Sequence, residues 1–403
     1  MASAAGSSPS WRFVAACALG AAALRVLGCG VDTPVEDPTE GFDTDALFAA
    51  LGADVVHPAL VEFTDALDVL ADDLDGWQAA LTTSDGRVER EAAQVSWRAA
   101  MDVLQRLEVM QIGPAGSSLN TVAGEDLRDS IYSWPTVNPC RVDQETLEEG
   151  WDSATFFADE LVNVQGLDAI EHILWSDEGV SRCPDGVAII ESGDWAAADV
   201  QGLRAAYAVA LSDQVGSLAS RLVAAWDPQD GDWGGVLAAA GDGISPYEDR
   251  LDALNAVFHG LFYVETTAKD RKLAQPLGLR DCDEPTVCPG ALESQFADAG
   301  LDHLAANLAG ARAVLTGGEG VGFDDLLAHA GREDLSSQAL DALDAAAAAV
   351  DAVPGTALSA ISDDPDALLA AHDAIKVFTD LLKGEFAAAL LLDIPTDAAG
   401  DND

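Results

Sequence analysis

The stretch VVHPALVEFTDALDVLADDLDGWQAAL, residues 55–81, decides the fold class. Its large apolar residues Leu60, Phe63, Leu67, Leu70, Leu74 and Trp77 recur at steps of three and four. At 3.6 residues per turn such positions stack on one side of a helix. The residues between them include Asp65, Asp68, Asp72 and Asp75, so the other side is acidic and faces water. A strand would alternate with a period of two, and this stretch does not.

The same period continues on either side. Residues 87–112 form a second helix, with Val95, Ala99, Val103, Leu107 and Met110 as its apolar row. A Gly-, Ser-, Asn- and Pro-rich loop over 113–139 follows. Further helices are expected over 147–175 (broken near 163–166), 194–226, 247–268, 292–315, 334–353 and 365–392. Few windows carry the alternating β-branched pattern of strands. The expected fold is all-α, with two packed up-and-down helical bundles in a domain spanning 47–395. The Gly- and Asp-rich stretch 227–245 is the expected boundary between them, and 396–403 is an acidic tail.

The first 28 residues read as an export signal. Arg12 supplies positive charge, Phe13 to Leu24 form an apolar run too short to span a bilayer, and small residues follow. Val26-Leu27-Gly28-Cys29 resembles a bacterial lipobox, although Arg25 and Val26 depart from the usual pattern. Cys29 is therefore the expected lipid-anchor site, and 29–46 an acidic linker between membrane and domain. No later stretch is read as spanning a membrane. The expected location is the cell envelope, with the membrane contacted only through the lipid.

Seventy acids against 20 bases give a net charge of −50. Such a surface repels nucleic acid and anionic headgroups and attracts cations diffusely. The charge is read first as solubility in a salty environment, with a cation-handling role as the alternative. Beyond Cys17 and Cys29 there are four cysteines, an even number that favours disulfides in an exported chain. Of three pairings, Cys140–Cys183 and Cys282–Cys288 are expected; a four-cysteine zinc site is the alternative, without a CxxC spacing to support it.

Three segments carry the chemistry. The first runs from Trp97-Arg98 through Leu107-Glu108-Val109-Met110 to Gly113-Pro114, with Ser133-Trp134-Pro135 after it. The second is Gly166-Leu167-Asp168-Ala169-Ile170-Glu171-His172. The third is Asp270-Arg271-Lys272-Leu273-Ala274-Gln275-Pro276, then Leu292-Glu293-Ser294-Gln295-Phe296. In order and spacing they resemble the imelysin family, exported peptidase-like and iron-regulated proteins, over residues 55–392. The resemblance implies two helical bundles. The family signature is Gly-x-His-x-x-Glu; Gly166 and Glu171 match it, and Asp168 stands at the histidine position.

On a helix Asp168, Glu171 and His172 are neighbours, and with Glu108 they are the candidate metal ligands. Carboxylates suit iron, with zinc or calcium as alternatives. Asp-x-x-Glu-His is also one substitution from the zinc-peptidase motif, in which Glu171 would activate water, but Asp168 removes one imidazole. The competing reading is a structural network in which Asp168 and Glu171 form salt bridges with Arg98 or Lys272. Arg98, Gly166, Asp270 and Lys272 are expected to support the site, Lys272 alternatively capping a helix end. His259, among Phe258, Phe262 and Tyr263, reads as a packed core residue. The sequence leads to an exported binding protein for a metal ion or metal-bearing ligand, linked to iron uptake. A metal-dependent peptidase and a non-catalytic scaffold are the alternatives.

Overall fold

The computed structural model describes residues 37–282 and 286–399. The expected signal and Cys29 lie outside the described residues, as do 400–403 of the acidic tail. Among the described residues the regular elements are all helices. In chain order the longer ones are α1 His57–Ala80, α2 Arg87–Leu107, α3 Pro139–Glu148, α4 Gly166–Trp175 and α5 Val200–Trp226. They continue with α6 Arg250–Leu261, the wide-turned π-helix α7 Val264–Ala274, α8 Gly300–Thr316, α9 Glu333–Asp351 and α10 Pro365–Leu381.

Two rings of four helices result. In the first, α1 lies between α2 and α5, and α4 closes the ring against both. In the second, α10 lies between α7 and α9, and α8 closes it. The rings meet where α2 crosses α8. Gly310 makes that crossing possible: a Cβ there would sit 2.1 Å from the Arg106 carbonyl oxygen. The chain passes from one bundle to the other through residues 227–249, where the short helix Trp233–Ala238 packs on Thr44–Ala50.

The six apolar residues that define α1 are all buried, as its periodicity requires. In α2 the expected row is displaced. Val95 is 69% exposed, and the helix instead buries Trp97, Met101 and Leu104. Its C-terminal half serves both bundles, so Val103 and Leu107 are buried there as well. The expected helix over 147–175 is interrupted for longer than its sequence suggests. The chain leaves α3 at Glu149 in a left-handed conformation and resumes regular α-helix of any length only at Gly166. The continuous rod Thr44–Ala80 is long and apolar enough to cross a membrane by length and composition, contrary to the sequence reading. Its apolar face is spent on the bundle core. Both expected disulfides, Cys140–Cys183 and Cys282–Cys288, are present.

Candidate functional site

The signature helix α4 is buried from Gly166 through Leu174. Gly166 begins it at φ +83°, and a Cβ there would lie 2.8 Å from the Ile131 carbonyl oxygen. Glycine is thus required for both conformation and close approach. Polar groups on so buried a helix must find partners within the protein, and those of α4 do so in three directions.

Asp168 turns toward Ser133, accepting from its hydroxyl at 2.8 Å and its backbone N–H at 3.2 Å. Burial pushes the carboxyl up to about 7 despite these bonds. Glu171 reaches across to the segment before α8. Its Oε1 accepts from the N–H of Ala297 at 2.8 Å, the hydroxyl of Ser294 at 3.0 Å and the N–H of Phe296 at 3.1 Å. Burial raises it to about 8 against those bonds, and the charge of Asp168 adds to the rise. His172 faces away from both. Its Nε2 lies 2.9 Å from Asp143 and its Nδ1 3.1 Å from the Ser176 hydroxyl. Asp143 also accepts from Arg204, the Ser181 hydroxyl and the Arg182 N–H. Burial lowers the His172 pKa more than Asp143 raises it.

A second polar cluster joins the bundles. Lys272 of α7 donates to Gln105 at 2.7 Å and Asn307 at 2.8 Å, and pairs with Glu293 at 2.9 Å. Glu293 also accepts from the Tyr132 hydroxyl at 2.9 Å and lies 3.2 Å from His303 Nδ1. Burial alone would raise the Glu293 carboxyl, but Lys272 and then His303 outweigh it and hold it at about 2. The Tyr132 hydroxyl is pushed upward by burial first, then by the charges of Glu293, Glu171 and Asp168. Those three carboxyls therefore share one buried neighbourhood.

The remaining predicted residues lie elsewhere. Glu108 is held by the guanidinium of Arg128, with bonds of 2.6 to 3.1 Å, beside a cavity of about 30 Å³ walled by Leu60, Phe63 and Met110. Asp270 pairs with Lys269 and Arg280 inside the second bundle. Arg98 donates to the Ala297 carbonyl and covers the Trp175 ring. The expected salt bridges from Arg98 or Lys272 to Asp168 or Glu171 are not formed. Lys272 does lie in the last turn of α7, with its ammonium directed to the buried side chains of Gln105, Asn307 and Glu293. His259 is exposed, with Nε2 3.0 Å from the Asp393 carbonyl; only its aromatic neighbours are in the core.

The four expected metal ligands do not converge. Among the described residues no group of three or more His, Cys, Asp or Glu side chains is arranged to hold a metal ion. Asp168, Glu171 and His172 are each committed to different protein donors, so this arrangement fits neither a resident metal nor a zinc-peptidase centre. Sequence reasoning missed Tyr132, Gln105, His303, Asn307 and Asp143, and quoted Glu293 and Ser133 without a role. One signal was available: His303 and Asn307 are four apart, in step with the apolar residues Leu304, Leu308 and Ala311 of the same helix.

The family model described as Imelysin matches residues 59–382. Among curated proteins none matches. An imelysin-like protein from Psychrobacter arcticum 273-4 superimposes with a TM-score of 0.66 at 19% identity, covering 87% of this chain and 96% of that one. A protein from Parabacteroides distasonis ATCC 8503, described as an iron-regulated protein A precursor, gives a TM-score of 0.65 at 16% identity, covering 90% and 97%. At these identities the structures establish the shared fold. The family match, spanning most of the sequence, establishes that the chain belongs to the imelysin family.

Proposed function

We propose that this chain is an exported, iron-linked binding protein that does not hydrolyse peptides. One observation carries the reading: the polar side chains of the signature helix are taken up by protein partners, Asp168 by Ser133, Glu171 by the 294–297 segment and His172 by Asp143. A zinc peptidase of the His-x-x-Glu-His kind would need two imidazoles on the metal and an ionised glutamate beside its water. The link to iron is supported by the name of the Parabacteroides structure, and export by the signal-like first 28 residues. Incubating the protein with an unfolded polypeptide and zinc, with and without chelator, is expected to show no chelator-sensitive cleavage. Cleavage abolished both by chelator and by Glu171→Gln would refute the reading.

A second reading concerns the ligand. Asp168 and Glu171 are buried carboxyls whose hydrogen-bond donors are all neutral, on a chain of net charge −50. The metal ion or metal-bearing ligand expected from the sequence, iron before zinc or calcium, would have to displace those donors at the bundle junction. Calorimetric titration with ferrous, ferric, zinc and calcium ions tests it. Binding no tighter than to Asp168→Ala/Glu171→Ala would remove it and leave an interaction scaffold. In either case Cys29 is proposed to carry a lipid, and an unmodified mature N-terminus by mass spectrometry would refute the anchor.

A further inference from the structure

Residues 177–183 leave the end of α4 and cross the buried Asp143. This strap supplies two of the four donors on Asp143, the Ser181 hydroxyl at 2.9 Å and the Arg182 N–H at 2.6 Å. In return, Arg204 donates to the strap carbonyls of Asp177 and Val180 at 3.0 and 2.7 Å. Trp195 donates to Gly179 at 2.9 Å. The strap ends at Cys183, which is bonded to Cys140 three residues before Asp143. The bridge thus closes the ring of contacts around the buried carboxylate. Both cysteines are half-buried.

The strap also touches the segment that holds Glu171. The Arg182 guanidinium lies 5.1 Å from the Phe296 ring centroid, and the His172 ring lies 5.1 Å from it as well. The Phe296 N–H is one of the three donors to Glu171. A continuous set of contacts therefore runs from the bridge through Arg182 and Phe296 to the signature glutamate.

We propose that residues 177–183 are a redox-locked strap, held shut by Cys140–Cys183, whose release loosens the 294–297 segment over Glu171. The release step is thiol exchange with a dithiol. The Sγ–Sγ bond breaks, the dithiol supplies two electrons and two protons, and it closes to its own cyclic disulfide. Cys140 and Cys183 are left as thiols. Nothing then ties the strap to α3 covalently, and Asp143 and Arg204 are free to exchange strap partners for water.

Amide hydrogen exchange on the full chain, with and without dithiothreitol, tests this independently of any ligand. Reduction is expected to speed exchange in the strap and at Phe296 and Ala297 by about tenfold or more, while α9 and α10 keep their rates. Cys140→Ser/Cys183→Ser is expected to reproduce the reduced pattern without reductant. Cys282→Ser/Cys288→Ser is expected to remain sensitive to it. Arg182→Ala, with the bridge intact, is expected to speed Phe296 and Ala297 by a smaller factor. Unchanged rates at Phe296 and Ala297 after reduction would overturn the proposal. So would loss of protection in both bundles together, which would make the bridge a general staple, or a response that follows Cys282–Cys288.

Discussion

Glu171→Gln is expected to make this protein's stability less dependent on pH. The glutamate is fully buried and raised from 4.5 to about 8. A carboxyl raised on folding stabilises the protein fully below its unfolded value, and that contribution is lost as pH climbs through the folded value. At 1.36 kcal/mol per pH unit the whole effect is roughly 5 kcal/mol. Integrating the linkage from about pH 5.5 to about pH 8.5 assigns about 3 kcal/mol of lost stability to Glu171. Exposed acids have finished titrating below this window. His172 acts in the opposite sense: burial lowers its pKa, so its contribution falls away toward acid. The diagnostic quantity is therefore the difference between wild type and variant, not the raw slope. The amide oxygen in Glu171→Gln can keep the bonds from Ser294, Phe296 and Ala297, and it does not ionise. Urea denaturation at several pH values gives both curves, and the variant should gain on the wild type by about 3 kcal/mol across the window. A flat difference would show that Glu171 is already ionised when folded, which would require a cation beside it and would refute the upward shift assigned to burial.

Two further perturbations test the bundle junction. Gly310→Ala places a methyl 2.1 Å from the Arg106 carbonyl, so it should cost about 3 kcal/mol or more by forcing the bundles apart. At Gly384, where a Cβ meets nothing within 4 Å, the same change should be neutral or slightly stabilising; equal thermal midpoints for the two variants would contradict the crossing. Lys272→Met strands the buried Glu293 charge and should cost about 3–5 kcal/mol. Adding Glu293→Gln should recover much of that in a double-mutant cycle, and additive losses would count against the pairing.

The fold was legible because helical burial writes its period into the chain, as Leu60, Phe63, Leu67, Leu70, Leu74 and Trp77 show. It failed at α2, where Val95 fits a single-faced helix but the helix serves two bundles and buries Trp97 and Met101 instead. The even cysteine count and export context led to the disulfides. The site was legible only in part. Spacing placed Asp168, Glu171 and His172 on one short helix, but spacing cannot say what surrounds it. Because α4 is buried on every side, its three polar groups diverge to Ser133, to Ala297 and to Asp143. Those partners lie 35, 126 and 29 residues away in sequence. Lys272 misled for a related reason: an α-helical reading ends before it, whereas the π-helix carries it into the core.

Asp168 also bears on what Glu171 can do. A carboxylate only accepts hydrogen bonds, so a buried aspartate at the signature position needs donors, and Ser133 supplies them from its hydroxyl and backbone. The same carboxyl stands close enough to raise Glu171 electrostatically. Two consequences follow from one residue. The imidazole that a zinc-peptidase motif would use is gone, and Asp168 adds to the upward shift, to about 8, that burial imposes on Glu171. A carboxyl raised in this way is mostly protonated at neutral pH and is a poor general base there. Under the proposed function, any cation taken up at Asp168 and Glu171 would have to displace their protons, so binding there should release protons and weaken toward acid.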